Sequence, residues 1–426
     1  MLNMTKNITE NNKLLEPYRV LDLTEGGCLF CGKLFGDLGA DVIVVEPPGG
    51  SPSRNIGPFY HDIPQKEKSL FWFSYCNNKR SITLNLHTRE GQKLLGQLVR
   101  IADFVIESLP IGSLDKLGIG YSALSKINPR IIWTSISPFG QTGPKSWYKG
   151  CDLTTVASSG YMWGCGDADR APIWISHPQA SLNAALDAFA AAMFANWYRV
   201  SVGEGQQIDV SIQESSMRLM MDINPLWELE EVIYKRVGNA YPTSLGVRRR
   251  LHWQCKDGYV CTFFGGGGGA VLVRQVKETV KWMDEKGMAP DWLKKFDWVN
   301  GYSAEKVTQE VVDRVEKCIA KLFLAMTMEE IFSEALKRKL PLAPVYTAKE
   351  ICEEPQLKVR EFWQEVEHPE LRDILTYLGC PVKIDPAPGK IWRRAPLIGE
   401  HNQGVYQELL GLSSAQLVSF KEANVI

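Results

Sequence analysis

Asp152 is the residue whose type and setting most invite chemistry. It stands in Gly150-Cys151-Asp152-Leu153, between a Gly/Pro-rich loop and a small-residue segment, Thr154-Thr155-Val156-Ala157-Ser158-Ser159-Gly160. A carboxylate can serve as an acid/base or a nucleophile, but an acid just before an apolar stretch is often only a helix N-cap, its oxygens accepting from free backbone N–H groups. Cys28 and Cys31 form the one C-x-x-C of the chain. A zinc site would need a second Cys or His pair at matching spacing, which is missing, so the pair reads as close packing at a helix start. Gly265 to Gly269, followed by Ala270, satisfies a dinucleotide-type glycine pattern only because it is a run of glycines. That site also needs a second strand ending in an acid about twenty residues on. Asp284 and Glu285 fall instead at the end of a helical pattern, and no Lys-Ser/Thr follows the glycines. The run reads as a flexible turn or a flap over a site.

These groups need a frame, and the first 150 residues supply one. Tyr18-Arg19-Val20-Leu21-Asp22-Leu23 reads as a strand, Thr24 to Gly27 as a turn, and Cys28 to Leu38 as a helix. Asp41 to Glu46 is the next strand, which completes a βαβ unit of about thirty residues. Pro47 to Pro52 then breaks the chain at the strand's carboxyl end, where ligands of open α/β sheets sit. Asp103 to Glu107 and Ile131 to Ile136 are further β-branched or aromatic runs with turn residues after them. Between them, Leu94, Leu95, Leu98 and Val99 share one face of a helix capped by Thr88. Alternating strands and helices predict a doubly wound α/β domain. Pro178 to Arg199 is a long Ala-rich helix, with Ser176 as its expected cap. It has little polar face, so burial is expected, against a partner chain if need be. The character changes near Met220. Helices are expected over Val271–Lys286, Ala304–Phe323 and Met328–Arg338. A Pro-punctuated return segment begins near Pro341.

Composition narrows the function classes. The 426 residues carry 48 Lys+Arg against 49 Asp+Glu, which leaves no electrostatic footprint for nucleic acid or an anionic membrane. No apolar run approaches the roughly 20 residues of a membrane helix. Met1 to Asn12 is polar and lacks the apolar core of a secretion signal. The ten Cys are scattered through apolar contexts, as thiols of a reduced compartment are. A cytoplasmic protein with no metal is expected.

Eight phrases occur in a telling order: VLDLTEGG…FGDLGADVIVVEPPGG, NNKRSITLNL, ADFVIESLPIGSLDKLGIGY, NPRIIWTSISPFGQTGP, GCDLTTVASSG, VGEGQQIDVS, LPLAPVYTAKEI and APLIGEHN. From about Tyr18 to the C-terminus the chain resembles the class III CoA-transferases, the CaiB–BaiF family. The resemblance implies a Rossmann-like, doubly wound large domain built from both chain ends, a smaller inserted α+β domain, and two chains interlocked as links. The boundaries expected are a flexible tail at 1–17, the first part of the large domain at 18–215, a small domain with linkers at 216–340, and the return segment at 341–426.

The resemblance also implies the site. Asp152 matches the family's nucleophile, the Asp of a G-Y-D motif. Cys151 replaces the Tyr, and Val156 stands where a Gln is usual. The CoA groove would be lined by Gly26, Gly27, Asn85, His87, Ser108, Leu109, Lys116 and Ser137. Lys116 stands where Arg is usual, a poorer bidentate phosphate ligand, and Pro47 where a basic residue is common. The expected co-substrates are an acyl-CoA and a free carboxylic acid, with no permanently bound cofactor. Succinyl-CoA is the expected donor. The overall look is nearest to the benzylsuccinate-type transferases of aromatic degradation, which are built from two related subunits, so either a homodimer or a heteromer is implied. Trp147, Tyr148, Tyr161, Trp163 and Trp174 could stack on an aryl acceptor or pack as core. A related racemase would need a second acid/base, usually a His about thirty residues before the Asp. No His lies between His87 and His177.

Overall fold

Six short runs become six parallel strands: β1 (Arg19–Leu23), β2 (Asp41–Glu46), β3 (Lys79–Thr83), β4 (Phe104–Glu107), β5 (Ile132–Ser137) and β6 (Gln207–Ser211). Their order is β3-β2-β1-β4-β5-β6, and every neighbouring pair is parallel. The structure is a computed structural model that describes residues 13–242, 246–266, 269–303, 306–385 and 387–426. Residues 1–12 of the expected tail, and Gly267 and Gly268 of the glycine run, lie outside the described residues. Strands β4 and β5 are buried at every position, as strands covered on both faces are. The order reverses between β1 and β4, so a crevice opens at their carboxyl ends.

Successive side chains point to opposite faces of the sheet. Leu21, Ile43, Val105 and Trp133 pack on one face with Leu94, Leu95 and Leu98 of the helix Arg89–Arg100. Val20, Val42, Phe104 and Ile132 pack on the other with Phe35 of the helix Leu29–Asp37. The same face receives Ala184, Ala185, Ala188 and Ala192 from the long helix, which runs Ala180–Val202. That helix starts two residues later than Pro178. Its N-cap is Gln179, which makes no side-chain capping bond, and Ser176 lies outside it. Its alanine stripe is buried, but Phe194 and Trp197 are 76% and 78% exposed.

The chain divides into two units: 1–162, 174–230 and 356–426 in the first, 163–173 and 231–355 in the second. The second unit therefore runs 231–355, where the sequence predicts 216–340, and also takes in a short stretch from Trp163 to Ile173. It holds a three-stranded antiparallel sheet around Tyr259–Cys261. The helices Ala270–Glu285, Gln309–Leu324 and Met328–Arg338 surround a core with Trp253, Trp282 and Phe323. Gly266 is packed there, because a Cβ on it would stand 2.7 Å from Trp298 O.

Two further details concern the first unit. Leu15, expected in a loose tail, is buried, and its N–H donates to Leu38 O at 2.9 Å. The return segment covers β3: Thr83 N donates to Asn402 Oδ1 (2.8 Å) and Tyr406 OH to Thr83 O (2.7 Å). Ser81 N donates to His401 Nδ1 (3.2 Å).

Candidate active site

The turn after β1 is built by its own last polar residues. Asp22 Oδ1 accepts from Thr24 N (3.0 Å) and Thr24 Oγ1 (2.6 Å), which bends the chain. Gly26 then takes φ +57°, a left-handed value that suits glycine. Its N–H donates to Ser53 Oγ at 2.8 Å. Ser53 and Ser51 both donate their hydroxyls to the Glu25 carboxylate. Burial pushes the Glu25 carboxyl up despite those bonds. The loop after β2 thus buttresses the turn, and Arg54 anchors the loop. Arg54 is fully buried, pairs with Glu46 through Nε (2.6 Å) and Nη2 (2.8 Å), and stacks 3.8 Å from the Trp72 ring.

Across the crevice, Glu25 N donates to Ser108 Oγ (2.9 Å) and Leu109 N to Glu107 Oε2 (2.9 Å). Gly26, Gly27, Ser108 and Leu109 are therefore brought together where the strand order reverses. Burial raises the Glu107 carboxyl, partly offset by bonds from Ser135 and the Leu109 N–H. A polar cavity of about 260 Å³ opens beside them at the ends of β4 and β5, with Glu107, Gly112, Asp115, Tyr121, Ser135 and Gln141 in its wall. Ser137 ends β5; its buried hydroxyl has no protein partner among the described residues. The loop beyond it is tied to β6, where Gln141 N donates to Asp209 Oδ2 at 2.8 Å.

The other groove residues stand apart. Asn85 and His87 follow β3, two strands from β1 and so roughly 10 Å away. Asn85 is occupied by the C-terminal residues: its N–H donates to Val425 O (2.7 Å) and its Nδ2 to Asn424 O (3.1 Å). His87 is exposed, and so is Lys116, on the short helix Ser113–Lys116.

Asp152 opens the helix Asp152–Ser158 as its first residue, and Cys151, not Asp152, is the N-cap. Its carboxylate is directed elsewhere. Oδ1 accepts from the backbone N–H of Ala180 at 2.7 Å, and Oδ2 accepts from the Trp174 indole at 2.8 Å. Ala180 is the first residue of the 23-residue helix, so its N–H has no partner within that helix. The carboxylate therefore caps a second helix across the chain, which is why that helix needs no cap from Ser176. Asp152 is half-buried and is not part of the polar cavity's wall. The helix it caps also touches the turn after β1: a Cβ on Gly27 would meet Ser181. Trp174 and Ala180 thus join the site. Trp174 was legible only as one aromatic among several, and a backbone N–H leaves no mark in a sequence. Val156 is buried and apolar, so it gives the carboxylate no bond.

Aromatic side chains border the same loop. Trp147 and Tyr148 are exposed and meet edge to face at 4.5 Å between centroids. The Cys151 thiol is held below its ordinary range, mainly by the Thr154 backbone N–H. Cys28 and Cys31 are free and buried, and desolvation pushes the first up to about 12 and the second well up. Such thiols are inert. Among the described residues no His/Cys/Asp/Glu group is arranged to hold a metal ion, and no helix is long and apolar enough to cross a membrane.

Residues 15–402 match the model of CoA-transferase family III. Subunit BbsE of succinyl-CoA:(R)-benzylsuccinate CoA-transferase from Thauera aromatica is 30% identical over 397 residues, 92% of this chain and 93% of the relative. Succinyl-CoA–D-citramalate CoA-transferase from Chloroflexus aurantiacus is 30% identical over 97% of this chain and 98% of its own length. Among solved structures, a CaiB/BaiF family protein from Brucella suis superposes with a TM-score of 0.81 at 27% identity, covering 94% of this chain and 100% of its own.

Proposed function

Because this chain belongs to CoA-transferase family III, we propose that Asp152 is the group through which it moves coenzyme A from an acyl-CoA to a free carboxylic acid. The donor is succinyl-CoA, and the acceptor is an aryl-substituted acid such as benzylsuccinate. One Asp152 oxygen attacks the thioester carbon, the C–S bond breaks, and CoA leaves as thiolate, which creates a mixed anhydride. The thiolate then attacks Asp152 Cγ and expels the donor acid, leaving an aspartyl thioester. The acceptor carboxylate attacks Cγ in turn and releases thiolate. A last thiolate attack on the acceptor's acyl carbon frees the new thioester and the original carboxylate. Every step is acyl substitution by a modest nucleophile with a good leaving group.

The observation that carries this reading is the placement of Asp152. It is the one family-matched acid, it is accessible, and both its oxygens are oriented by N–H donors. Gly26, Gly27, Ser108, Leu109 and Ser137 are proposed to receive the pantetheine arm. Lys116 is proposed to meet a phosphate, with Asn85 and His87 at the far end of the groove. Exposed Trp147, Tyr148 and Trp174 support an aryl acceptor. Ten free cysteines fit a reduced, cytoplasmic setting. Trapping with hydroxylamine or borohydride in the presence of acyl-CoA should mark Asp152, and Asp152→Ala should abolish exchange. Turnover that survives in that variant would refute the role.

A second reading makes the chain a non-catalytic partner subunit of a heteromeric CoA-transferase, inactive without its related partner. It is supported by the exposed apolar side of the long helix and by the Thauera relative, which is itself named as a subunit. Activity of the chain purified alone, with every subunit identical by mass, would reject the heteromer.

A further inference from the structure

We propose that Trp174 is a positioning residue that gives the two oxygens of Asp152 different fates: Oδ1 stays with the enzyme, and Oδ2 alone is exchanged with substrate acids. The proposal rests on the covalent route given above and goes beyond it.

The two oxygens are held by donors of different kinds. Oδ1 faces the Ala180 N–H at 2.7 Å. That donor belongs to the backbone of a buried residue at the start of a long helix, so it cannot swing away. The helix N-terminus also carries partial positive charge, which favours negative charge on this oxygen. Oδ2 faces the Trp174 indole at 2.8 Å. Trp174 lies in an irregular segment and is 38% exposed, so this donor can yield to an incoming acyl group. Indole N–H is a donor only, so it cannot take up a proton or serve as a base. Each carboxylate oxygen has a second lone-pair direction, so one donor per oxygen leaves room for attack.

The consequences follow atom by atom. Oδ2 forms the bond to the donor's acyl carbon and becomes the bridging oxygen of the anhydride. When thiolate attacks Cγ, the electron pair moves onto Oδ1, where the Ala180 N–H meets it. Collapse breaks the bond from Cγ to Oδ2, so Oδ2 departs in the donor acid. The acceptor carboxylate brings its own oxygen to Cγ, Oδ1 again takes the charge, and thiolate leaves. After the final attack the acceptor's oxygen remains on Asp152 in the place of Oδ2. One oxygen is replaced in each cycle and the other never. Rotation about Cβ–Cγ would mix the two, and the pair of N–H bonds opposes that rotation. Val156 contributes nothing to this hold, being buried and apolar.

The test uses the whole protein with succinyl-CoA and excess succinate carrying heavy oxygen in its carboxylates, over many turnovers. The peptide containing Asp152 is then weighed. The expected result is a single heavy oxygen in the native protein and two in Trp174→Phe. That variant keeps an aromatic ring but removes the donor. Its kcat should fall about 10- to 100-fold through misorientation, with the KM for acyl-CoA unchanged. A merely structural role for Trp174 would not alter the isotope count. Two heavy oxygens in the native protein would overturn the proposal and leave the covalent route standing. One in both proteins would overturn the role of Trp174. Turnover with no heavy oxygen on Asp152 would overturn the covalent route itself.

Discussion

Gly27 lies so close to Ser181 that a Cβ on Gly27 would stand 2.1 Å from the Ser181 hydroxyl oxygen. The turn after the first strand and the start of the helix that binds Asp152 are therefore packed as one body. The hydroxyl can rotate away, but Ser181 Cβ, at 3.1 Å from the same point, cannot. Gly27→Ala should cost about 1–3 kcal/mol of stability through overpacking and raise the KM for acyl-CoA. Adding Ser181→Gly should recover most of both losses. Urea unfolding and initial rates on the single and double variants would check this; absence of any recovery would show that this contact is not the cause.

Asp152 has a structural duty, the bond to the Ala180 N–H, separable from the chemistry proposed for it. Asp152→Asn keeps an oxygen for the Ala180 N–H but lacks an ionised nucleophile. It should be inactive and within about 1 kcal/mol of native stability. Asp152→Ala loses the capping acceptor as well and should be less stable by about 0.5–2 kcal/mol. Equal unfolding midpoints for the two variants would contradict the capping role.

Arg54 holds the loop that supports Gly26. Arg54→Met leaves Glu46 charged and buried without its partner, which should cost about 3–5 kcal/mol. Arg54→Lys should recover little of that, because one ammonium cannot reproduce the forked contact with Glu46 or the stacking on Trp72. Thermal unfolding of both variants tests this, and full rescue by Lys would be the contrary result.

His401 makes stability depend on pH. Burial pulls its pKa down from 6.5 to about 4, opposed by Glu400 and aided by Arg393, Arg80 and Arg394. Its Nδ1 accepts from Ser81 N, which the neutral ring alone can do. The unfolded chain binds the proton more readily between these values, so stability rises with pH across that range. The contribution is fully present above pH 6.5 and is lost as pH falls toward 4. His401→Gln should flatten the urea midpoint over this window; an unchanged slope would exclude His401 as its source.

Lys116 is exposed and makes no ion pair among the described residues, so the phosphate contact proposed for it would displace no carboxylate partner. Lys116→Glu should raise the KM for acyl-CoA up to about fivefold, the scale of one exposed pair, and reduce its salt dependence. Lys116→Arg should lower the KM. Identical KM values for all three would remove Lys116 from the groove.

Much of the sheet was legible because its strands are short β-branched runs ended by Gly and Pro, and buried parallel strands need that composition. Helix ends were less so. Pro178 and Ser176 carry the marks of a helix start, yet the helix begins at Ala180, because its cap comes from a carboxylate 28 residues away. Local propensity cannot register a bond of that range. Asp152 was singled out through the order of motifs around it, whereas the groups that bond its carboxylate were not, since one is a backbone group and the other an unremarkable aromatic. The inserted unit begins later than the change in composition near Met220, because the residues up to Glu230 make their contacts with the first unit.

Strand β3 is covered by residues that the ribosome adds long after it. Tyr406 reaches Thr83 across 323 positions of sequence, and Asn402 reaches it across 319. During translation this side of the sheet stays bare while the 323 positions from Thr83 to Tyr406 are made, and the nascent polypeptide must be kept from sticking to others in the meantime. Synthesis stalled or truncated before Tyr406 should therefore yield material that aggregates or is degraded, whether or not Asp152 and its helix have already been made.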